Sequence, residues 1–308
     1  MKNKKICLVT GGAGFIGSNL VEKLVKKNFK VFVVDNLSSG NFKNLNNIKN
    51  KINFIKSDIN NFKGIKKIDY IFHLAASVSV QESLKNKKKY FNNNIFKSIS
   101  FFNNIRKIPL KKFIYIASAS CYANNQNNID EESAIKPLSP YAESKWITEQ
   151  LLLKLSKTYG VPFLSFRLFN VYGKNFNFKS NYTGVIGKFI SKLLKKKNLI
   201  IYGNGNQTRS FIHVDDVCRA LIVGAKSKIN YEIFNLGSKN YVSINKLAKY
   251  FSNNIIYKSK KKGDIKHSKS KIAKIEKKLK FLPKIKLKNG IKKLIDFYYK
   301  KNLKENFI

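Results

Sequence analysis

Acidic side chains are in short supply. The 308 residues carry 17 Asp and Glu against 61 Lys and Arg, a formal net charge of +44 at pH 7. Tryptophan and methionine occur once each and proline five times. The three cysteines, Cys7, Cys121 and Cys218, are scattered and odd in number. That pattern excludes a disulfide framework and a cysteine zinc site, and it suits a reducing compartment. No apolar run approaches the roughly 18 residues of a membrane span. The N-terminal apolar stretch is interrupted by glycines and does not read as a signal peptide. A cytoplasmic location with no membrane partner is therefore expected.

So large a positive charge invites a nucleic-acid reading. The lysines, however, are spread over the whole length, with runs at Lys87–Lys89, Lys195–Lys197 and Lys260–Lys262, and no RRM or KH signature accompanies them. Lys, Asn, Ile, Phe and Tyr crowd the loops together and share A/T-rich codons. Compositional drift accounts for the charge, and no specific nucleic-acid partner is expected. The field still concentrates anionic ligands near the surface. With 43% hydrophobic residues, the chain has enough apolar material for one large domain or two coupled ones.

Residues 7–17, Cys-Leu-Val-Thr-Gly-Gly-Ala-Gly-Phe-Ile-Gly, are the most informative stretch present. Ile6–Val9 reads as a buried strand. Gly11, Gly14 and Gly17 follow at G-x-x-G-x-x-G spacing. Ser18–Lys27 then reads as a helix with Leu20, Val21, Leu24 and Val25 on one face. A strand, a tight glycine turn and a helix N-terminus make a phosphate cradle, because free N–H groups and the helix dipole point at the anion. The glycines permit the turn and the close approach of a pyrophosphate. Val31–Asp35 is a second strand, and its terminal carboxylate, about 20 residues downstream, suits the hydroxyls of an adenine ribose. A dinucleotide is the expected ligand, and Asp35 would repel a 2′-phosphate, so NAD is expected rather than NADP.

Strand and helix patterns alternate through the first half. Strands are expected at 5–10, 30–35, 52–57, 70–74, 112–117 and 162–169, and helices at 18–27, 90–105 and 141–159. The alternation predicts an α/β fold of Rossmann type, a doubly wound parallel sheet. Beyond Asn170 the pattern loosens into a helix at 184–197, a short strand at 200–203, a helix at 214–226 and a further sheet strand at 233–236. The tail, 244–308, reads as short lysine-rich helices. Residues 1–170, rejoined by about 214–237, are expected to form the cofactor domain. Residues 171–213 and 238–308 are expected to form a smaller, discontinuous α/β substrate-binding lobe. Asn41–Lys51 and Asn124–Asn128 read as solvated loops.

Tyr141 and Lys145 form a Tyr-x-x-x-Lys pair that shares one helix face. A phenol with a pKa of about 10 is a poor base at neutral pH, but a nearby ammonium and a cationic nicotinamide both favour the phenolate. Tyr141 can then accept a proton from a substrate hydroxyl while hydride leaves for the cofactor. Ala117-Ser118-Ala119-Ser120-Cys121-Tyr122 lies upstream, a strand end with a hydroxyl able to hold the reacting oxygen. His73 reads as a packing residue. His213 and Asp215 read as packing and helix-start residues, with Asp215 as the N-cap, and Trp146 as a residue facing a subunit partner.

These residues resemble the extended short-chain dehydrogenase/reductase family, over nearly the whole chain, and within it the UDP-sugar 4-epimerases. The resemblance implies NAD contacts from Gly11, Gly14, Phe15, Ile16, Gly17, Asp35, Asn36, Ser39, Gly40, Asp58, Ile59, Leu74, Ala75, Ala76 and Asn94, together with Tyr141 and Lys145. It implies Ser118, Tyr141 and Lys145 as the catalytic triad. Arg167-Leu168-Phe169-Asn170-Val171-Tyr172-Gly173 matches the R-x-F-N-V-Y/F-G stretch, whose Asn170 would contact the substrate diphosphate region. Val185, Tyr202 and Arg209 match uridine and phosphate contacts. Asp264 matches the acid of a late R-x-G-D motif that holds the uridine ribose, with Lys261 in place of its arginine. A homodimer built on the helices at 90–105 and 141–159 is also implied.

Departures from the family pattern bear on the reaction. Lys261 keeps the charge of the usual arginine but loses its bidentate fork. Ser210 replaces the usual Asp after Arg209, and Ala123 replaces a glycine. Sugar 4,6-dehydratases of this family carry an Asp-Glu pair directly after the position of Ser118, where this chain has Ala119 and Ser120; oxidation and re-reduction without elimination is the reading that follows. Ser268 stands where a bulky tyrosine narrows the sugar pocket of glucose-selective epimerases. With Ser79, it resembles epimerases that accept N-acetylated UDP-hexosamines. The implied reaction is 4-epimerisation of a UDP-sugar, probing both faces of a 4-keto intermediate. A UDP-glucuronate epimerase or decarboxylase, or a dehydratase, stays open as the alternative.

Overall fold

The computed structural model describes residues 4–122, 128–176, 183–260 and 267–305. Strands that are apolar on both faces must be covered on both, and most of the first six strands are of that kind. The six are β1 (Ile6–Thr10), β2 (Lys30–Asp35), β3 (Ile52–Lys56), β4 (Tyr70–His73), β5 (Lys112–Ser118) and β6 (Phe163–Leu168). The chain then forms β7 (Asn170–Tyr172), β8 (Leu199–Tyr202) and β9 (Thr208–His213), and contributes β10 (Glu232–Leu236) to the main sheet. The seven strands run in the order β10-β6-β5-β4-β1-β2-β3, with every pairing parallel. This is the doubly wound Rossmann-type sheet that the alternating pattern predicts.

Alternate side chains of each strand enter opposite cores. Cys7 and Val9 of β1 pack with Leu20, Val21 and Leu24 of the helix Phe15–Lys26 and with Val217 and Leu221 of the helix Val214–Lys226. Leu8 faces the other way, toward Phe101, Phe102, Phe113 and Leu152. A separate core gathers Tyr172, Phe189, Ile190, Leu247, Ile291, Leu294 and Tyr298 beside the smaller sheets. There β9 pairs with β7, with β11 (Tyr241–Ser243) and with β13 (His267–Ser268), while β8 pairs with β12 (Ile255–Lys258).

Three local expectations are corrected. Asn41–Lys51 is not a loop: Phe42–Lys51 is a 3₁₀ helix, because Leu45 and Ile48 bury against the sheet and give the segment an inner face. The tail contains a 19-residue helix, Leu287–Glu305, which runs long because Ile291, Leu294 and Tyr298 recur at helical spacing and reach the third core. The helix expected at 90–105 begins earlier, at Lys87, where the Asn86 side chain accepts from the Lys89 N–H at 3.1 Å. It also passes through a π turn at Asn92–Phe96 before resuming as α-helix over Lys97–Ile105.

The helix Pro140–Thr158 starts where its sequence dictates. Ser139 accepts from the Ala142 N–H at 3.2 Å as N-cap, and Pro140 occupies the first position, where no N–H is needed. Tyr141 thus falls in the first turn and Lys145 one turn on. A further turn on, Glu149 is fully buried. It accepts from Arg167 Nε at 2.9 Å and Nη2 at 2.7 Å, and from Ser165 Oγ at 2.6 Å. Both partners lie on β6, so one ion pair ties this helix to the sheet. Arg167 Nη1 also donates to the Tyr122 hydroxyl at 2.9 Å, which donates to Asn235 Oδ1 at 2.7 Å on β10.

Replacing Glu149 by Gln leaves the Arg167 guanidinium buried without its counter-charge. We expect this change to lower unfolding free energy by about 3–5 kcal/mol, the usual cost of breaking a buried pair. Urea denaturation followed by circular dichroism measures it, and a loss below about 1 kcal/mol would rule out the anchoring role given to the pair.

Candidate active site

The carboxyl ends of the parallel strands converge on one edge of the sheet, where ligands of open α/β folds bind. At the end of β1, Gly11 has φ +66°, and a Cβ there would lie 2.8 Å from the Ala75 nitrogen in the loop after β4. A Cβ on Gly17 would sit 2.2 Å from the Gly11 carbonyl oxygen. The helix Phe15–Lys26 begins at Gly14 with no side-chain cap, which leaves its first N–H groups and its dipole directed outward. Phe15 and Ile16 open this helix, half-buried.

At the end of β2, Asp35 is buried and its carboxylate is held in place. Oδ2 accepts from the Ala13 N–H at 2.9 Å and Oδ1 from the Leu37 N–H at 2.8 Å. Gly40 lies so close that a Cβ would stand 3.0 Å from both oxygens. Ser39 and Asn36 are exposed beside it. Asn36 donates to Asp58 Oδ2 at 3.1 Å, and Lys97 pairs with the same oxygen at 2.7 Å. Burial pushes the Asp58 carboxyl up, but the Lys97 ammonium outweighs it and holds the group below the usual carboxylate range. Ile59 is buried next to it.

The loop after β4 is fixed from beneath by a residue that sequence reading passed over. Thr10 Oγ1 accepts from the Leu74 and Ala75 N–H groups, both at 3.2 Å, and lies 2.7 Å from His73 Nδ1. With both lone pairs engaged, the Thr10 hydroxyl donates to Nδ1, so Nε2 carries the ring proton and donates to Ser98 Oγ at 2.9 Å. Burial pushes His73 down to about 3, so it stays neutral and acts in packing. Ala76 continues this loop, half-buried. Asn94 clamps it: Oδ1 accepts from the Ser77 N–H at 2.7 Å, while Nδ2 donates to the Ser77 carbonyl at 3.0 Å and to Ser144 Oγ at 2.9 Å. Its side chain is thereby committed to the protein. Ser79 caps the helix Val80–Lys85, and its N–H donates to the Tyr90 hydroxyl at 2.9 Å. Tyr90, a second residue missed, meets Tyr141 edge-on with centroids 6.4 Å apart.

At the end of β5, Ser118 lies beside Tyr141 and works against the rise that burial imposes on its phenol. Lys145 is buried with Nζ 4.3 Å from the centroid of the Tyr115 ring. Burial drives both groups toward neutrality: Tyr141 is pushed above its ordinary value, and Lys145 is pushed down to about 7, partly opposed by Glu149. A cation brought against Tyr141 would reverse the first of these shifts.

Among residues of the smaller lobe, Arg209 and Ser268 stand opposite each other across β9 and β13. Asn170 Nδ2 donates to the Ser210 carbonyl at 2.9 Å, beside Arg209. Ser210 is buried and bonded to Ser238 and Ser270, which explains how a serine is accommodated there. Tyr202 ends β8, half-buried, and Val185 opens the helix Val185–Leu194. Lys261, Asp264 and Ala123 lie outside the described residues. His213, not Asp215, caps the helix Val214–Lys226, its Nδ1 accepting from the Asp215 N–H at 3.1 Å, while Asp215 pairs with Lys23 at 2.7 Å. Trp146, half-buried, packs with Cys121, Tyr122, Ile129 and Phe169.

Residues 7–237 match the model of the NAD dependent epimerase/dehydratase family. The chain belongs to that family. It is an NAD-dependent enzyme of the class that the sequence resembles, and no helix among the described residues is long and apolar enough to cross a membrane. The family member UDP-N-acetylglucosamine 4-epimerase from Methanobrevibacter ruminantium M1, solved in complex with UDP-N-acetylmuramic acid, is 35% identical over 98% of this chain and 100% of its own, with a TM-score of 0.91. UDP-glucose 4-epimerase of Thermotoga maritima, solved with UDP-glucose, is 32% identical over 96% and 99% of the two chains, with a TM-score of 0.89. UDP-glucuronate 4-epimerase of Thermodesulfobacterium geofontis is 32% identical over 94% and 95%. The glycine cradle, the uncapped helix and the fixed Asp35 carboxylate fit NAD.

Replacing Gly17 by Ala drives its methyl into the Gly11 carbonyl and opens the cradle. We expect NAD affinity to fall by at least about tenfold, equivalent to ~1.4 kcal/mol, in calorimetric titration; unchanged affinity would remove the cradle from the cofactor site.

Proposed function

We propose that this protein interconverts the carbon-4 epimers of a UDP-hexose, with a UDP-N-acetylhexosamine as its preferred substrate and UDP-glucose/UDP-galactose as a second pair. The observation that carries the reading is the cluster of half-buried Ser118 with buried Tyr141 and Lys145, and a serine, Ser120, where elimination chemistry would need a carboxylate. NAD supplies the hydride acceptor and returns the hydride. Tyr141, as phenolate, takes the proton from the sugar 4-hydroxyl. Ser118 holds the reacting oxygen, and the Lys145 ammonium favours the phenolate. The oxidised sugar would turn about its diphosphate link, and Tyr141 would return the proton to its 4-oxygen. Net redox is zero, so the cofactor stays bound.

Residues 1–170 and about 214–237 are proposed as the cofactor domain, and 171–213 with 238–308 as the sugar-nucleotide lobe. Asn170, Val185, Tyr202, Arg209, Lys261 and Asp264 are assigned to the uridine diphosphate, and Ser79 and Ser268 to the sugar. The small Ser268, placed opposite Arg209, supports room for an acetamido group. A homodimer is proposed through the helices spanning 87–105 and 140–158, where Phe96 and Leu151 leave apolar side chains exposed.

Incubation of the purified protein with UDP-N-acetylglucosamine, followed by NMR of the carbon-4 epimer, tests the reading. Conversion is expected; a protein that holds NAD yet converts neither this sugar nor UDP-glucose would refute it, and conversion of UDP-glucuronate alone would move the assignment to that substrate. Tyr141→Phe is expected to lower turnover about 10²–10⁴-fold, the range for a lost general base, while NAD binding persists. Ser268→Tyr is expected to depress kcat/KM for the acetamido sugar more than for the plain hexose, and equal losses would remove Ser268 from the sugar pocket.

A further inference from the structure

Lys145 is buried, and the acid one turn on, Glu149, is taken up by Arg167 and Ser165 of β6. What lies against the ammonium is an aromatic ring. Lys145 Nζ stands 4.3 Å from the centroid of Tyr115, well inside the roughly 6 Å reach of a cation–π contact. Tyr115 is buried on β5, whose last residue is Ser118. Its hydroxyl donates to the Lys145 carbonyl at 3.4 Å, so ring and helix turn are held together.

The groups around this contact leave the ring a distinct part to play. Tyr141 and Glu149 share the helix with Lys145. Glu149 attracts the ammonium, but its charge is shared with Arg167. On β4, His73 stands beside Tyr115 in register, with ring centroids 5.9 Å apart. Burial keeps His73 neutral, so it brings no positive charge against Lys145. Burial also keeps the Tyr115 phenol protonated. A buried amine with little to attract it gives up its proton, and Lys145 is already pushed down to about 7. The negative face of an aromatic ring attracts an ammonium yet carries no net charge. A carboxylate in its place would hold the ammonium more tightly, but it would act on the Tyr141 phenolate as a like charge.

Resting on the proposed role of Lys145, we propose that Tyr115 is a positioning residue whose ring face keeps Lys145 an ammonium without cancelling its field on Tyr141. The ring is thus a neutral counterpart to a cation that must stay charged in a dry site.

The test is a pH titration of the NAD-loaded protein labelled with ¹³C at lysine Cε, with Lys145→Arg identifying the signal. Tyr115→Leu removes the ring. It is expected to lower the Lys145 midpoint by about 1 pH unit, a tenfold smaller ammonium-to-amine ratio at a given pH and the size of a desolvated cation–π contact. Tyr115→Phe keeps the ring and is expected to hold the midpoint within about 0.3 unit of its wild-type position. The alkaline limb of kcat/KM is expected to move to lower pH in Tyr115→Leu and to stay in place in Tyr115→Phe. Should Tyr115→Leu fail to fold, pentafluorophenylalanine incorporated at position 115 keeps a ring there while removing its negative face, and is expected to lower the midpoint as far. A midpoint that the leucine or the fluorinated ring leaves in place, or that Tyr115→Phe lowers as much as they do, would overturn the inference. A midpoint that shifts as expected in a protein turning over no UDP-sugar would support the role of Tyr115 and refute the substrate reading alone.

Discussion

The buried pair of Glu149 and Arg167 is the interaction on which the site's geometry rests. The helix Pro140–Thr158 carries Tyr141 and Lys145 on one face, but a helix can rotate about its axis unless something fixes it. Glu149 continues the same face one turn beyond Lys145, and its carboxylate is gripped by Arg167 and Ser165 of β6. Because β6 lies beside β5 in the sheet, the position of Tyr141 relative to Ser118 follows from that grip. A buried ion pair contributes little net stability against an apolar alternative. Its value here is directional: two charges that cannot be left unpaired define a single rotation of the helix. The guanidinium also reaches Tyr122, which fixes the segment just after Ser118.

Backbone patterns were the most legible part of the chain. The six strands up to residue 168 and the helix Phe15–Lys26 follow from apolar runs broken by glycine, and the parallel sheet follows from their alternation. Asp35, at a strand end about 20 residues past the glycine turn, was readable for the same reason. What escaped reading depends on contacts between distant segments. Thr10 is a single polar residue in an apolar strand, and only the loop 64 and 65 residues away reveals its hydrogen bonds. Tyr90 sits among lysines and asparagines that look solvated, yet its hydroxyl holds Ser79. Glu149 stood in plain sight at the i+8 position from Tyr141, but its partner Arg167 had been read only as part of a family stretch. Leu45 and Ile48 were hidden by the asparagines and lysines around them, which mask an amphipathic turn when composition alone is weighed.

The shortage of acids shapes the electrostatics. Those present are mostly fixed: Glu22 to Lys26 and Lys174, Asp58 to Lys97, Asp69 to Lys111, Asp215 to Lys23, Glu232 to Lys274 and Lys278. Exposed pairs of this kind are worth little individually. Their effect is on the balance of what is left, since most lysines have no acid to meet and face solvent. The surface field is then positive almost everywhere, and an anionic diphosphate approaching the carboxyl edge of the sheet moves down a gradient that salt would flatten.

The π turn at Asn92–Phe96 sets a different kind of constraint. It inserts one residue into an otherwise α-helical path, and such turns gather at functional sites. Asn94 sits in that turn with its side chain spanning Ser77 and Ser144, while Tyr90 precedes it and Ser98 follows, each bonded to a different loop or strand end. Relaxing the turn to regular α geometry with all its residues kept would rotate one half by about 100° against the other. Tyr90 and Ser98 could not then both reach their partners. Asn92 and Phe96 are exposed and can change chemistry with little consequence for this arrangement, so the winding of this turn, more than the identity of its exposed residues, is what holds both halves of the helix to their partners.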